Sequence, residues 1–358
     1  MAPGSIDPSE VRRHLADFAD PETGRGIAET GQLQDVTVDG SIVTVKLGLT
    51  THSAILRDET KQQMTQLLKE RLPGVGEVRI ELADFARPPS KIGQVGLTAK
   101  SVIAVGSGKG GVGKSTIAAA IALGLSRAGS RVGLMDADVY GPSIPHLLGV
   151  NQRPEVADNR IQPIQASGLK VMSMGFLVPP GEAVVWRGPM LHGAITQFLR
   201  DTNWGELDYL IIDMPPGTGD IALTLSQLIP LSGAVVVCTP QDVALLDAVK
   251  AVAMFRKVNI PILGMVENMS GFVCPDCGKR YDIFGSGGAR RRAEELAIPF
   301  LGEVPINMQI RELGDAGRSD DNYQNPALAE PLLAICRNLA HSLAARPADA
   351  GSLPVLSV

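Results

Sequence analysis

An excess of basic residues is missing from this 358-residue chain. Its 33 lysines and arginines stand against 38 aspartates and glutamates, for a net charge of −5. A general affinity for nucleic acid or anionic lipid therefore has no electrostatic basis, and neither is expected as a partner. Long apolar runs are missing too. Stretches such as "TIAAAIALGL" fall far short of the roughly 18 residues that signal a spanning helix. The opening residues, "MAPGSIDPSEVRRHLADF", carry acids early and no apolar core, unlike a secretory signal. Cysteine is scarce, with four in the chain. Together these features point to the cytoplasm, where thiols stay reduced and a close cysteine pair reads as a ligand pair before a disulfide.

What is present suits an ordinary globular protein, 44% hydrophobic and 20% charged, with length enough for two domains. Val11, Leu15 and Phe18 fall at helical spacing. "LQDVTVDGSIVTVKLGL" reads as two alternating strands around Asp39-Gly40, a strong hairpin signal. "LRDETKQQMTQLLKERL" predicts an amphipathic helix and "VGEVRIEL" another strand, so residues 1–85 form a small α+β domain. Residues 86–97 break every periodicity and carry the Pro, Ser and Gly of a linker. Beyond them come seven short apolar runs: "SVIAVGS", "RVGLMDAD", "LKVMSMG", "DYLIIDMP", "GAVVVCTP", "PILGMVENM" and "FLGEVP". Continuous runs of this kind suit strands buried on both faces. With helical segments between them they predict an α/β domain over 98–345, built on a doubly wound, mostly parallel sheet. The tail, 346–358, is expected to be disordered.

"GKGGVGKST", residues 108–116, follows the first of these runs and opens a helical segment, the pattern of a P-loop NTPase. Gly108, Gly110, Gly111 and Gly113, with Val112, let successive backbone N–H groups curl around phosphate oxygens, and Thr116 continues into the helix. Lys114 would reach the β- and γ-phosphates of a nucleotide such as ATP, and the Ser115 hydroxyl would ligate Mg²⁺. Lys109, a second lysine in the loop, has solvent exposure as its simplest reading. Ligands of open α/β sheets bind beyond the carboxyl ends of strands. Asp136, Asp138 and Asp213 all lie at such ends. Asp213 suits a role in holding Mg²⁺ through water, and Asp136 would sit beside the metal. Each alone could equally be a helix cap.

Cys274 and Cys277 in "FVCPDCGKRY" put two thiols on one tight turn, half of a four-thiolate site. Cys238, in "AVVVC", and Cys336, in "LLAICRNLA", read as buried core residues. The five histidines are scattered without ligand spacing. A two-fold homodimer would bring two such turns together, enough for an iron–sulfur cluster or a zinc ion. A reduced surface turn without metal is the plainer alternative.

"KGGVGKS" resembles the loop of the MinD/ParA class of dimeric ATPases. That resemblance implies that Lys109 reaches the partner's nucleotide, as an arginine finger does, and that Asp138 in "DADVYGPS" orients attacking water. It also makes "PPGTGD" a switch loop whose Gly217 amide senses the γ-phosphate, and Asn268 in "GMVEN" a reader of the adenine base, with a structural asparagine turn as competitor. "GKGGVGKS", "DADVYGPS", "DMPPGTGD", "TPQDVALLDA", "NMSGFVCPDCG" and "FGSGGA" occur in the order found in the Mrp/ApbC family. The resemblance spans residues 98–340. It implies an ATP-hydrolysing carrier that holds a 4Fe–4S cluster between subunits and hands it to apo iron–sulfur proteins. An ATPase switch with a structural zinc clasp is the alternative. Residues 1–85 resemble small iron–sulfur maturation factors, with one departure. Where such relatives often carry a cysteine after the second strand, this chain reads "TTHSAI", so docking or regulation is expected of the small domain.

Overall fold

The computed structural model of the chain describes residues 6–139, 141–177, 188–217 and 219–345. The tail at 346–358 lies outside the described residues. Helix α1 (Pro8–Leu15) starts at Asp7, whose carboxylate accepts from the Ser9 N–H at 2.8 Å and satisfies a donor the helix leaves open. Strands β1 (Leu33–Asp39) and β2 (Ile42–Leu49) pair antiparallel across a turn in which Gly40 takes φ +60°. Helix α2 (Arg57–Arg71) then leads to β3 (Glu77–Asp84), which lies parallel to β2. Alternate residues of β2 (Val43, Val45 and Leu47) pack against Val11 and Leu15 of α1 and Met64 and Leu68 of α2.

The remaining chain runs through β4 (Leu97–Gly106), α3 (Lys114–Arg127), β5 (Val132–Asp136), β6 (Leu169–Ser173), α4 (Gly188–Asp201) and β7 (Leu207–Asp213). It continues through α5 (Gly219–Leu228), β8 (Gly233–Cys238), α6 (Asp242–Lys257), β9 (Ile262–Val273), α7 (Gly288–Glu295), β10 (Phe300–Ile306), α8 (Met308–Asp315) and α9 (Pro326–Ala344). Strands β4 to β10 are parallel in the order β10-β9-β8-β4-β7-β5-β6. Each contains one of the seven apolar runs. Their continuity follows from burial on both faces. In β4, Val102 and Ala104 join the core beneath α4, α5 and α6, while Ile103 and Val105 join the core beneath α3 and α9.

The chain leaves β4 toward β5 and β6, returns to β7 at the side of β4, then crosses to β8 on the other side. That reversal opens a crevice at the carboxyl end of β4. The small domain docks at the opposite, amino end of the strands. The His52 ring stacks on Tyr209 with centroids 4.3 Å apart, and its Nε2 lies 2.9 Å from the Ser101 hydroxyl. The Tyr209 hydroxyl donates to the His52 carbonyl at 2.6 Å. Beside them the Lys100 ammonium lies 3.1 Å from Glu22 and 3.7 Å from Asp208, all three side chains largely shielded from water. Residues 86–97 join the same contact: Arg87 pairs with Asp20 at 2.9 Å and Glu22 at 3.1 Å, and Lys91–Ile92 folds back antiparallel on Leu97–Thr98.

Burial pushes the His52 imidazole down to about 4, with Glu22 pulling the other way. A depressed folded-state value favours the neutral ring, so its stabilisation is complete above the ordinary value of 6.5 and is lost as pH falls toward 4. Up to about 3 kcal/mol is at stake. Urea unfolding should therefore show stability falling between about pH 6.5 and pH 4.5 in the wild type, and a flatter curve for His52→Gln. A wild-type curve flat over that range would refute the assignment.

Candidate nucleotide site and cysteine turn

The loop between β4 and α3 is shaped by glycine where nothing larger fits. A Cβ on Gly108 would lie 2.1 Å from the Asp247 carbonyl oxygen of α6, and one on Gly113 would lie 2.1 Å from Asn268 Nδ2. Gly113 also takes φ +83°. Helix α3 begins with no capping side chain and no acid in its first turn, so its first N–H groups face an anion-ready concavity.

The Lys114 ammonium is buried, 2.6 Å from Asp213 Oδ1, 3.2 Å from the Ser115 hydroxyl and 3.6 Å from Asp138 Oδ2. Burial pushes the Asp213 carboxyl up while Lys114 pulls it back. Asp213 Oδ2 is buried without a hydrogen-bond partner among the described residues. A lone carboxylate oxygen near a serine hydroxyl fits a divalent cation, which is what Mg²⁺ would need here.

Asp136 is engaged differently. It accepts the backbone N–H groups of Asp138 and Ile144, each at 3.1 Å, and the Ser173 hydroxyl at 3.0 Å. Both of its oxygens therefore hold the loop that carries Asp138. Burial, and then Asp213, push its carboxyl up to about 7. Asp138 Oδ1 in turn accepts from Gly141 at 3.2 Å. Gly217, at φ +68°, donates its N–H to the Ser107 carbonyl at 3.0 Å, so that amide rests on the phosphate loop itself. Lys109 is half-buried in the wall of the phosphate cavity.

Two cavities meet at Gly113, Thr116 and Leu147. One, about 350 Å³, is walled by loop residues 109–111 and 113–116 with Asp138 and His146. The other, also about 350 Å³, is walled largely by apolar groups, among them Ile117, Met269, Phe284 and the 304–307 segment, together with Asn268. A trough that is polar at one end and apolar at the other matches a nucleotide's phosphates and base. Asn268 Nδ2 donates to the Val112 carbonyl at 2.9 Å, which ties the apolar end to the phosphate loop.

Cys274 and Cys277 follow directly on β9. Their turn is closed by Gly278 N–H to the Cys274 carbonyl and Cys274 N–H to the Lys279 carbonyl, both at 2.9 Å. Cys277 is exposed and Cys274 half-buried. Hydrogen bonding from the Cys277 backbone, then that of Asp276, holds the Cys274 thiol below its ordinary value and favours the thiolate. Cys238 and Cys336 lie in the two cores, where burial pushes each thiol up to about 12. Among the described residues no group of three or more His, Cys, Asp or Glu could hold a metal. The turn has an apolar rim of exposed Val273, Tyr281, Ile283 and Met308.

Three residues at this end were not singled out from the sequence. Ser173 holds Asp136, and Glu267 and Ser270 sit beneath the cysteine turn. A glutamate inside the apolar run "PILGMVENM" was the available signal for Glu267.

Residues 98–340 match the family described as NUBPL iron-transfer P-loop NTPase, and residues 8–81 match one described as iron-sulfur cluster assembly protein. The chain is 47% identical to an iron-sulfur cluster carrier protein of Deinococcus radiodurans, over 93% of its own length and 95% of the relative's. It is 45% identical to the iron-sulfur cluster carrier protein of Escherichia coli K12, over 85% of its length and 83% of the relative's. A solved nucleotide-binding protein of Archaeoglobus fulgidus, in complex with ADP, superposes with a TM-score of 0.57 at 42% identity, covering 64% of this chain and 90% of that one. The cell division ATPase MinD of Pyrococcus furiosus, at 23% identity and a TM-score of 0.51 over 67% of this chain and 98% of its own, shares the fold. With a family match from residue 98 to 340 and such identity along nearly the whole length, the chain belongs to the NUBPL iron-transfer family of P-loop NTPases.

Proposed function

We propose that this chain is a cytoplasmic, homodimeric, Mg–ATP-dependent carrier that holds a 4Fe–4S cluster as cargo between subunits and transfers it to apo iron–sulfur proteins. One observation carries the proposal: a single chain joins a phosphate cradle to an exposed thiolate turn that supplies two ligands where a cluster needs four. A second copy of the turn completes the set, and the apolar rim around it suits burial at such an interface.

In this reading the first N–H groups of α3 and the Lys114 ammonium take the phosphates, and Asn268 and the 304–307 segment wall the base. Ser115 and Asp213 hold Mg²⁺, which supplies Lewis-acid neutralisation of phosphate charge. Asp138, with one carboxylate oxygen facing Lys114, orients the attacking water. Asp136 keeps the Asp138 loop in place. Lys109 makes no ion pair among the described residues, consistent with a role across the dimer. Gly217, resting on Ser107, is where the loop after Asp213 feels the γ-phosphate.

The Lys114 ammonium neutralises charge on the transferred phosphoryl group, so Lys114→Ala should lower turnover at least about a hundredfold in a phosphate-release assay. Near-normal turnover would move the chemistry elsewhere. If Lys109 acts in trans, mixing Lys109→Ala with Asp138→Ala should restore activity through heterodimers with one intact composite site. Absence of recovery despite demonstrated subunit exchange would count against it.

The cargo site gives a stoichiometric test. Iron and sulfide analysis after anaerobic reconstitution should give one cluster per two chains. Cys274→Ala or Cys277→Ala should abolish stable binding, because symmetry removes two ligands at once, while ATP binding persists. Cys238→Ala and Cys336→Ala should leave metal content unchanged. A monomer retaining a full cluster would falsify the bridging arrangement, and zinc in place of iron would favour a structural clasp.

A further inference from the structure

Glu267 puts a charge in the middle of an apolar strand, and none of the chemistry above uses it. It lies on β9 with no exposed surface and forms no ion pair among the described residues. Its carboxylate is satisfied instead by three donors: the Gly287 N–H at 2.7 Å, the Ala289 N–H at 2.6 Å and the Ser270 hydroxyl at 2.7 Å. Ser270 Oγ also lies 3.1 Å from Glu303 Oε2 on β10. These bonds knot together the base of an excursion, residues 268–287, that carries the cysteine turn. A backbone bond from Gly271 to Gly285 at 3.2 Å reinforces the knot.

The next residue grips the nucleotide loop. Asn268 donates to the Val112 carbonyl at 2.9 Å, and its amide occupies the space a side chain at Gly113 would need. Successive residues of a strand point to opposite sides. Here one holds the phosphate loop and its neighbour holds the cysteine hairpin. Past them the chain departs from strand geometry: Met269 takes φ +60°, unusual for a non-glycine, and the register with β10 shifts between Asn268 and Phe272. A buried carboxylate cannot release a donor without leaving its charge under-solvated. A displacement of β9 at Asn268 must therefore carry Gly287, Ala289 and the excursion between them.

We propose that Glu267 is a positioning residue that couples occupancy of the nucleotide site to the geometry of the Cys274–Cys277 turn. The inference rests on reading those cysteines as ligands, but its test needs no cluster. In the full-length chain, reduced and freed of metal by chelation, maleimide labelling rates of Cys274 and Cys277 are measured with and without ADP or a non-hydrolysable ATP analogue. Cys238 and Cys336, at 1% and 0% exposure, stay silent.

Nucleotide should slow wild-type labelling by at least about fivefold. Glu267→Gln keeps the shape but turns one acceptor oxygen into a donor facing a backbone N–H. It should bring the ratio of rates with and without nucleotide to about one, with nucleotide affinity held within about threefold. A purely structural helix cap would change basal rates or stability and leave that ratio intact. The proposal is overturned if the wild type does not respond, if Glu267→Gln keeps the wild-type ratio, or if the variant loses nucleotide affinity along with the ratio. Should Glu267→Gln fail to fold, Ser270→Ala is read the same way. A negative result leaves the ligand role of the cysteines standing, and loss of the cluster reading leaves the thiol response standing.

Discussion

A buried lysine between aspartates organises the carboxyl end of this sheet. Lys114 sits 2.6 Å from Asp213 and 3.6 Å from Asp138, so two acids share one ammonium where water is scarce, and a third, Asp136, is buried beside them. Burying charges is costly unless they are paired and hydrogen-bonded. The fold meets that cost unevenly. Asp136 is fully engaged by backbone and serine donors, whereas one oxygen of Asp213 has no partner among the described residues. The imbalance is a standing demand for positive charge at the point where a Mg-nucleotide would supply it. It also keeps the first turn of α3 pinned against the end of β7, and with it the N–H groups that border the loop cavity.

The two ends of the strands are used for different purposes. The amino ends take the small domain through a mixed contact: a stacked His52–Tyr209 pair, the Lys100 ion pairs, and a residue of the connecting segment, Arg87, bound to Asp20 and Glu22. The loop "TTHSAI" contributes His52 to that contact. A domain held in this way has its position set from the end of the sheet farthest from the phosphate loop.

Strand β9 touches the phosphate loop through Asn268 and leads into the cysteine turn. It lies one strand in from the edge of the parallel order, hydrogen-bonded on both sides by β8 and β10, and its carboxyl end leads directly into Cys274. Asn268 and Met269 line the apolar end of the trough, and the same few residues set where the cysteine hairpin starts.

Much of this was legible in the chain because the relevant physics is local. Glycine spacing in "GKGGVGKST" dictates a cradle, Asp39-Gly40 dictates a hairpin, CxxC dictates a tight two-thiol turn, and unbroken apolar runs require strands covered on both faces. These features depend on residues within a few positions of one another, where backbone sterics and side-chain period decide the outcome. The sequence by itself therefore determined the class of fold, the phosphate loop and the paired thiols of one turn. Tertiary structure decided which acid is engaged and which is left with a lone oxygen, that the Gly217 amide rests on Ser107, that the Asn268 amide binds Val112, and that Glu267 anchors a helix twenty residues away. Those outcomes depend on which distant groups arrive at a buried donor or acceptor, and no local pattern names the partner.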